Sequence, residues 1–133
     1  MKRYLIDTHI FLWLVFDPNR VSSKKLEILK DPRNKVFIAN ISFWEISLKY
    51  NLGKLDLSGL GPDELPKVAR KMGIDTLEID KEVIASFYKL PKVQTHKDPF
   101  DRIIVWQCIN DNLTLVSQDR KFSEYKNFGL KIL

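Results

Sequence analysis

Carboxylates recur just beyond apolar runs. Asp7 follows Tyr4-Leu5-Ile6, and Glu45 comes shortly after Lys35 to Ala39. Asp98 and Asp101 open the apolar stretch that runs to about Asn110, and Asp119 comes two residues after Leu113 to Ser117. Carboxylates crowded together repel and raise each other's pKa. A cluster of this size needs a compensating charge, and a divalent cation supplies it. Oxygen-only donors favour Mg²⁺ or Mn²⁺ over zinc or copper. Such a cation acidifies water and screens a phosphate, so the chemistry indicated is hydrolysis of a phosphodiester.

Each of these residues also has a purely local role. Asp7 after a strand can cap the next helix. Ser42 and Glu45 are three apart and match a capping box. Asp98 before Pro99 is a helix N-cap. Asp101 is placed at N3, where the helix dipole favours an acid, and Asp119 can cap a short turn. Their common place beyond strand ends is what joins them into one hypothesis.

The other polar candidates say less. His9 beside Asp7 reads as a packed histidine, and His96 as a surface or supporting group. With two histidines and the single Cys108, neither a histidine-based nor a cysteine-rich zinc site is expected. Cys108 and Trp106 read as core. Lys49 stands at i+4 from Glu45, where it pairs with that carboxylate, steers it or is simply solvated.

These side chains need a scaffold. Arg3 to Ile6, Lys35 to Ala39, Thr76 to Ile79, Leu113 to Ser117 and Leu130 to Ile132 read as strands. Helical segments alternate with them: Thr8 to Phe16, Ser22 or Ser23 to Lys30, Ser42 to about Leu52 with Gly53 as its stop, and Asp63 to Met72. One more follows Asp80, the long one begins at Asp98-Pro99, and a short turn runs from Asp119 to Tyr125. Alternation of this kind implies parallel strands joined by right-handed crossovers. The expected fold is α/β, a three-layer α/β/α sandwich around a mostly parallel five-stranded sheet. Function in such sheets sits beyond the carboxyl ends of the strands, where the acids fall.

Composition agrees with one compact domain over residues 1–133. Hydrophobic residues make up 44% and charged residues 29%, which excludes disordered and fibrous classes. Lysine and arginine number 22 against 17 acids, a net charge of +5 that suits a polyanion partner. The longest apolar run, Ile10 to Phe16, is far short of the roughly 20 residues of a membrane span. Asp7 and His9 interrupt the stretch that a secretion signal would need. A cytoplasmic protein is expected, with no membrane partner.

Four segments carry a family resemblance. Leu5-Ile6-Asp7-Thr8-His9, Ser42-Phe43-Trp44-Glu45-Ile46-Ser47-Leu48-Lys49, Asp98-Pro99-Phe100-Asp101-Arg102 and Ser117-Gln118-Asp119-Arg120-Lys121-Phe122 resemble the motifs of PIN-domain proteins. They occur in the family's order and cover nearly the whole chain. Leu52-Gly53-Lys54-Leu55 adds to the match, which is closest to single-domain toxins of the VapC type. The resemblance implies an Mg²⁺-dependent endoribonuclease, with Mn²⁺ as a substitute. It implies an RNA substrate, a cognate antitoxin of a type II toxin–antitoxin module, and a homodimer. Asp7, Glu45, Asp101 and Asp119 match the family's catalytic, metal-holding quartet. Asp98, Thr8, Ser42 and Lys49 would support it, and Lys49, Lys54, Arg102 and Arg120 would contact nucleic acid. One departure is Trp106, which stands where the third-motif helix usually carries small residues.

Two other classes fit the same residues less well. An aspartyl-phosphate phosphatase would use Asp7 as nucleophile, but its usual second acid two residues on is His9 here. A non-catalytic RNA-binding or assembly module would not need all four acidic positions filled.

Overall fold

The computed structural model describes residues 2–94 and 96–133. Five strands form one sheet in the order β3-β2-β1-β4-β5. They are β1 (Arg3–Ile6), β2 (Lys35–Ala39), β3 (Ile74–Leu77), β4 (Thr114–Val116) and β5 (Lys131–Ile132). Every pairing is parallel, so the sheet is fully rather than mostly parallel. The register places Ile6 beside Ile38 on one flank and beside Val116 on the other.

The strand order creates the site. The chain passes from β1 to β2 and β3 on one side, then crosses back to lay β4 and β5 on the other. β1 and β4 are therefore neighbours whose following segments diverge. That switch point opens a crevice at their carboxyl ends.

Alternation along the strands feeds two cores, one on each face. Tyr4, Ile6, Val36, Ile38 and Val116 point to one face, with Ile10, Phe11, Ile46 and Leu65. Leu5, Ala39 and Leu115 point to the other, with Ile104, Val105, Cys108, Phe122 and Tyr125. The helices around the sheet are α1 (Thr8–Phe16), α2 (Ser23–Lys30), α3 (Asn40–Asn51), α4 (Leu65–Lys71), α5 (Lys81–Ala85) and α6 (Pro99–Asp111). A 3₁₀ segment, Arg120–Phe128, precedes β5. No helix among the described residues is long and apolar enough to cross a membrane.

Local signals explain most boundaries. Ser22 caps α2 by accepting from Lys25 N–H. α3 ends in a Schellman arrangement, with Gly53 N–H bonded to Tyr50 O and Lys54 N–H to Lys49 O. Gly53 sits at φ +73°, a conformation that favours glycine.

Three expectations are corrected. β3 starts at Ile74 rather than Thr76, because pairing with β2 sets Ile74 beside Val36 and buries it. The capping box at Ser42 and Glu45 does not form. α3 begins at Asn40, straight after β2, with no side-chain cap, and both side chains find partners on α1 instead. Trp106 does not crowd the sheet. It lies half-buried on the outer side of α6, where its Nε1 donates to Val83 O and Ser86 Oγ, both at 3.1 Å.

Candidate metal centre and active site

Asp7 comes first in the chain and is buried. Its N–H extends β1 by bonding to Val116 O of β4 at 3.1 Å. Its carboxylate then caps α1, with Oδ1 accepting from Ile10 N–H at 2.7 Å. The residue is 3% exposed. Burial pushes its pKa up to about 6. Hydrogen bonds from Ser117 and Ile10 and the nearby His9 work against this rise, while the charge of Asp101 adds to it.

Glu45 enters from β2 by way of α3 and is 1% exposed. Thr8 Oγ1 lies 2.7 Å from its Oε1 and 2.9 Å from Ser42 Oγ. A hydroxyl has one proton to give, so Thr8 donates to the carboxylate and accepts from Ser42. Lys49 Nζ reaches Glu45 Oε2 at 2.6 Å. Burial alone would lower the Lys49 pKa, but the hydrogen bond and charge of Glu45 outweigh it and the pKa is raised.

Asp98 and Asp101 share the start of α6. Asp98 Oδ1 accepts from Phe100 N–H at 2.9 Å and Asp101 N–H at 3.4 Å, as an N-cap should. Asp101, at N3, is half-buried, and its Oδ2 lies 3.0 Å from His96 Nε2. Burial raises its pKa, and the charges of Asp98 and Glu45 raise it further. The hydrogen bond from His96 offsets part of the rise.

Asp119 arrives from β4. It caps the 3₁₀ segment, Oδ1 accepting from Lys121 N–H at 2.9 Å, and its own N–H bonds to Ser117 Oγ at 3.0 Å. Ser117 therefore accepts from Asp119 and donates to Asp7.

Asp101 is the meeting point. It feels the charges of Asp98 and Glu45, and Asp7 in turn feels Asp101. Donor atoms of Asp101, Asp119 and His96 lie within 4.8 Å of one another, close enough for one cation. Asp7 and Glu45 join this group through electrostatics rather than through that short spacing. The donors fit a divalent cation: they are oxygens with one imidazole nitrogen, and Asp7 and Asp101 are both held above their ordinary pKa by burial and by neighbouring negative charge.

Of the two readings of His96, a surface or a supporting group, the geometry fits the second: it is 3% exposed, packed edge-on against Phe122 at 4.8 Å, with Nε2 on Asp101. Its loop position carried no periodic signal. Ser117, which sequence reasoning did not single out, directly follows β4 and joins two acids from separate segments, a link only strand adjacency creates. His9, expected to be packed, is exposed beside Trp13.

The basic candidates divide. Lys54 and Arg120 are exposed. Lys49 is held on Glu45. Arg102, expected to face nucleic acid, is instead a clasp. Its guanidinium donates to Leu90 O and Pro91 O at 3.2 Å each and to Tyr125 Oη at 3.1 Å.

Known proteins agree with this architecture. VapBC2 from Rickettsia felis, bound to a promoter DNA fragment, is 20% identical, with TM-score 0.68 over 98% of this chain and 97% of that one. VapBC-1 from nontypeable Haemophilus influenzae is 15% identical, with TM-score 0.68 over 98% and 96%. A toxin–antitoxin complex from Klebsiella pneumoniae is 17% identical, with TM-score 0.59 over 98% and 95%. No curated protein matches the chain. At these identities the likeness is one of fold. The sequence profile of the PIN domain, however, matches residues 4–127, a span that holds all of the converging acids. With that match, the parallel sheet and the acids gathered at its switch point, the chain belongs to the PIN-domain family.

Proposed function

We propose that residues 1–133 form one nuclease domain, a divalent-metal-dependent endoribonuclease acting as the toxin of a toxin–antitoxin module. The observation that carries this reading is the convergence on Asp101 of acids from separate chain segments. Membership of the PIN-domain family supports it.

Asp7 and Asp101 would hold Mg²⁺, with Mn²⁺ as a substitute, and Glu45 and Asp119 complete the set. When bound, the cation supplies Lewis acidity and screens phosphate charge. The protein's own part is orientation. Thr8 and Lys49 fix the two oxygens of Glu45, His96 fixes Asp101, and Ser117 ties Asp119 to Asp7. Glu45 and Asp119 orient the attacking water. Its oxygen bonds to phosphorus, the bond to the 3′ oxygen breaks, and the products carry a 5′-phosphate and a 3′-hydroxyl. An aspartyl-phosphate role for Asp7 fits poorly, since that carboxylate is buried and committed to capping α1.

The partners of this reading are RNA, a cognate antitoxin and a second copy of the chain, in the cytoplasm where RNA is met. An apolar groove supports a protein partner. Trp44, Ile84, Phe100 and Ile103 line it beside the first turn of α6, and Trp44 is 60% exposed.

Cleavage of tRNA, rRNA fragments and single-stranded DNA is the test. Wild type, Asp7→Asn and Asp101→Asn are compared with Mg²⁺ and with chelator. RNA cleavage by wild type alone, and only with metal, is expected. Metal-independent cleavage, or cleavage retained by both variants at the wild-type rate, would refute the reading.

A further inference from the structure

Beyond Asp119 the acidic rim gives way to a basic cleft of about 470 Å³. One wall is the segment from Asn19 to Lys25, and the other is the start of the 3₁₀ segment. Arg20, Lys25, Arg120 and Lys126 line it, and Asp119 is the one acid among its described lining residues. Gathering like charges in one concavity is unfavourable unless an anion occupies it, and the low-dielectric walls focus their field.

The walls are fixed to each other. Gln118 Oε1 accepts from Ser22 N–H at 2.9 Å, and its Nε2 donates to Arg20 O at 3.0 Å. One side chain thus ties the α2 entry to the loop that carries Asp119. Arg20 is steadied in turn, its guanidinium 4.7 Å from the Trp13 ring centre. A cation–π contact of this kind uses no N–H on a protein acceptor, so the guanidinium keeps donors for an oxyanion.

We propose that this cleft is a phosphate-binding subsite, taking the RNA backbone immediately next to the scissile phosphodiester. The proposal rests on the nuclease reading of the adjoining acids. Arginine and lysine beside a carboxylate cluster divide the labour: the acids hold a cation, and the bases hold the strand that must lie across it. The cleft lies on the β4–β5 side of the switch point, while Lys49 and Lys54 stand on the β2 side. The backbone therefore crosses the carboxyl edge of the sheet from α3 toward β5.

The test uses a short fluorescein-labelled oligouridylate and a Lys25→Ala/Lys126→Ala double variant. The control is Lys30→Ala/Lys71→Ala, at the far ends of α2 and α4. Binding is followed by anisotropy across a salt series, and cleavage with Mg²⁺ is measured in parallel. The double variant should bind roughly tenfold more weakly, with a salt slope shallower by about 1.4, since single strands lose ~0.7 per phosphate contact. The control should match wild type. Lysine acetylation mapped on the wild-type protein is an independent readout, with RNA shielding Lys25 and Lys126 but not Lys30 or Lys71. Wild-type affinity and slope in the double variant, with those lysines unshielded, overturn the subsite while wild-type cleavage leaves the nuclease reading standing. Absence of both binding and cleavage in the wild type overturns the two together.

Discussion

His96 Nε2 stands 3.0 Å from Asp101 Oδ2, with the imidazole buried against Phe122 and Tyr125. Its Nδ1 has no partner among the described residues. A buried bare lone pair costs less than a buried bare N–H, so the proton belongs on Nε2 and the ring donates to Asp101. His96→Ala removes that donor and opens a space in the core. Stability should fall by about 2–3 kcal/mol in urea denaturation. RNA cleavage should fall with it, and His96→Gln, which keeps a donor, should recover part of the activity. Full activity in His96→Ala would remove the ring from the site's positioning.

Asp7 makes stability depend on pH. Its pKa stands at about 6 in the folded protein against an ordinary value of 3.8. Below about pH 4 the group is protonated in both states and costs nothing. Between pH 4 and 6 the unfolded chain ionises first, so folded stability is lost as pH rises, reaching a plateau above the folded pKa. Asp7→Asn keeps an oxygen to cap α1 and escapes this loss. Metal-free Asp7→Asn should be more stable than wild type at pH 8, by about 1–3 kcal/mol, and equal to it near pH 4. Thermal melts at the two pH values check this.

Metal should reverse that order. A cation beside Asp7 and Asp101 offsets their repulsion and binds the folded state alone. Mg²⁺ should raise the melting temperature of wild type and leave Asp7→Asn nearly unmoved, and chelator should abolish the difference. Equal shifts in both proteins would place the cation elsewhere.

Lys49 compensates a carboxylate that is 1% exposed. Lys49→Met leaves Glu45 with only the Thr8 hydroxyl. Lys49 is itself one-third exposed, so the full cost of a broken buried pair is reduced by solvent. A loss of about 1–3 kcal/mol in urea denaturation is expected. Lys49→Glu, which adds a charge of the wrong sign, should lose more.

Arg102 gives the opposite contrast. Its hydrogen bonds go to Leu90, Pro91 and Tyr125, and its guanidinium lies 5.5 Å from the Phe87 ring centre. Arg102→Ala should cost about 1–3 kcal/mol and speed amide hydrogen exchange over residues 87–93, with the salt slope of RNA binding unchanged. A shallower slope would return Arg102 to the nucleic-acid interface.

Sequence alone determined what depends on neighbours in the chain. Asp98-Pro99 marked the start of α6, Gly53 the end of α3, and the apolar runs marked four of the five strands closely. These signals are local: a cap, a left-handed turn or an alternation acts within a few residues. The acids were legible for the same reason, because Asp7 and Asp119 come just after strands while Glu45, Asp98 and Asp101 stand near helix starts. Tertiary structure decided what those residues touch. Ser42 and Glu45 match a capping box by spacing, yet Thr8 on α1 engages both once β1 and β2 pair. Ser117 and Gln118 carried no pattern, since their partners Asp7, Arg20 and Ser22 lie on a segment brought close by the strand order. Arg102 reads as a surface cation until Tyr125 and the Leu90–Pro91 carbonyls surround it. A hydrogen bond acts over about 3 Å, and that distance is set by packing rather than by spacing along the chain.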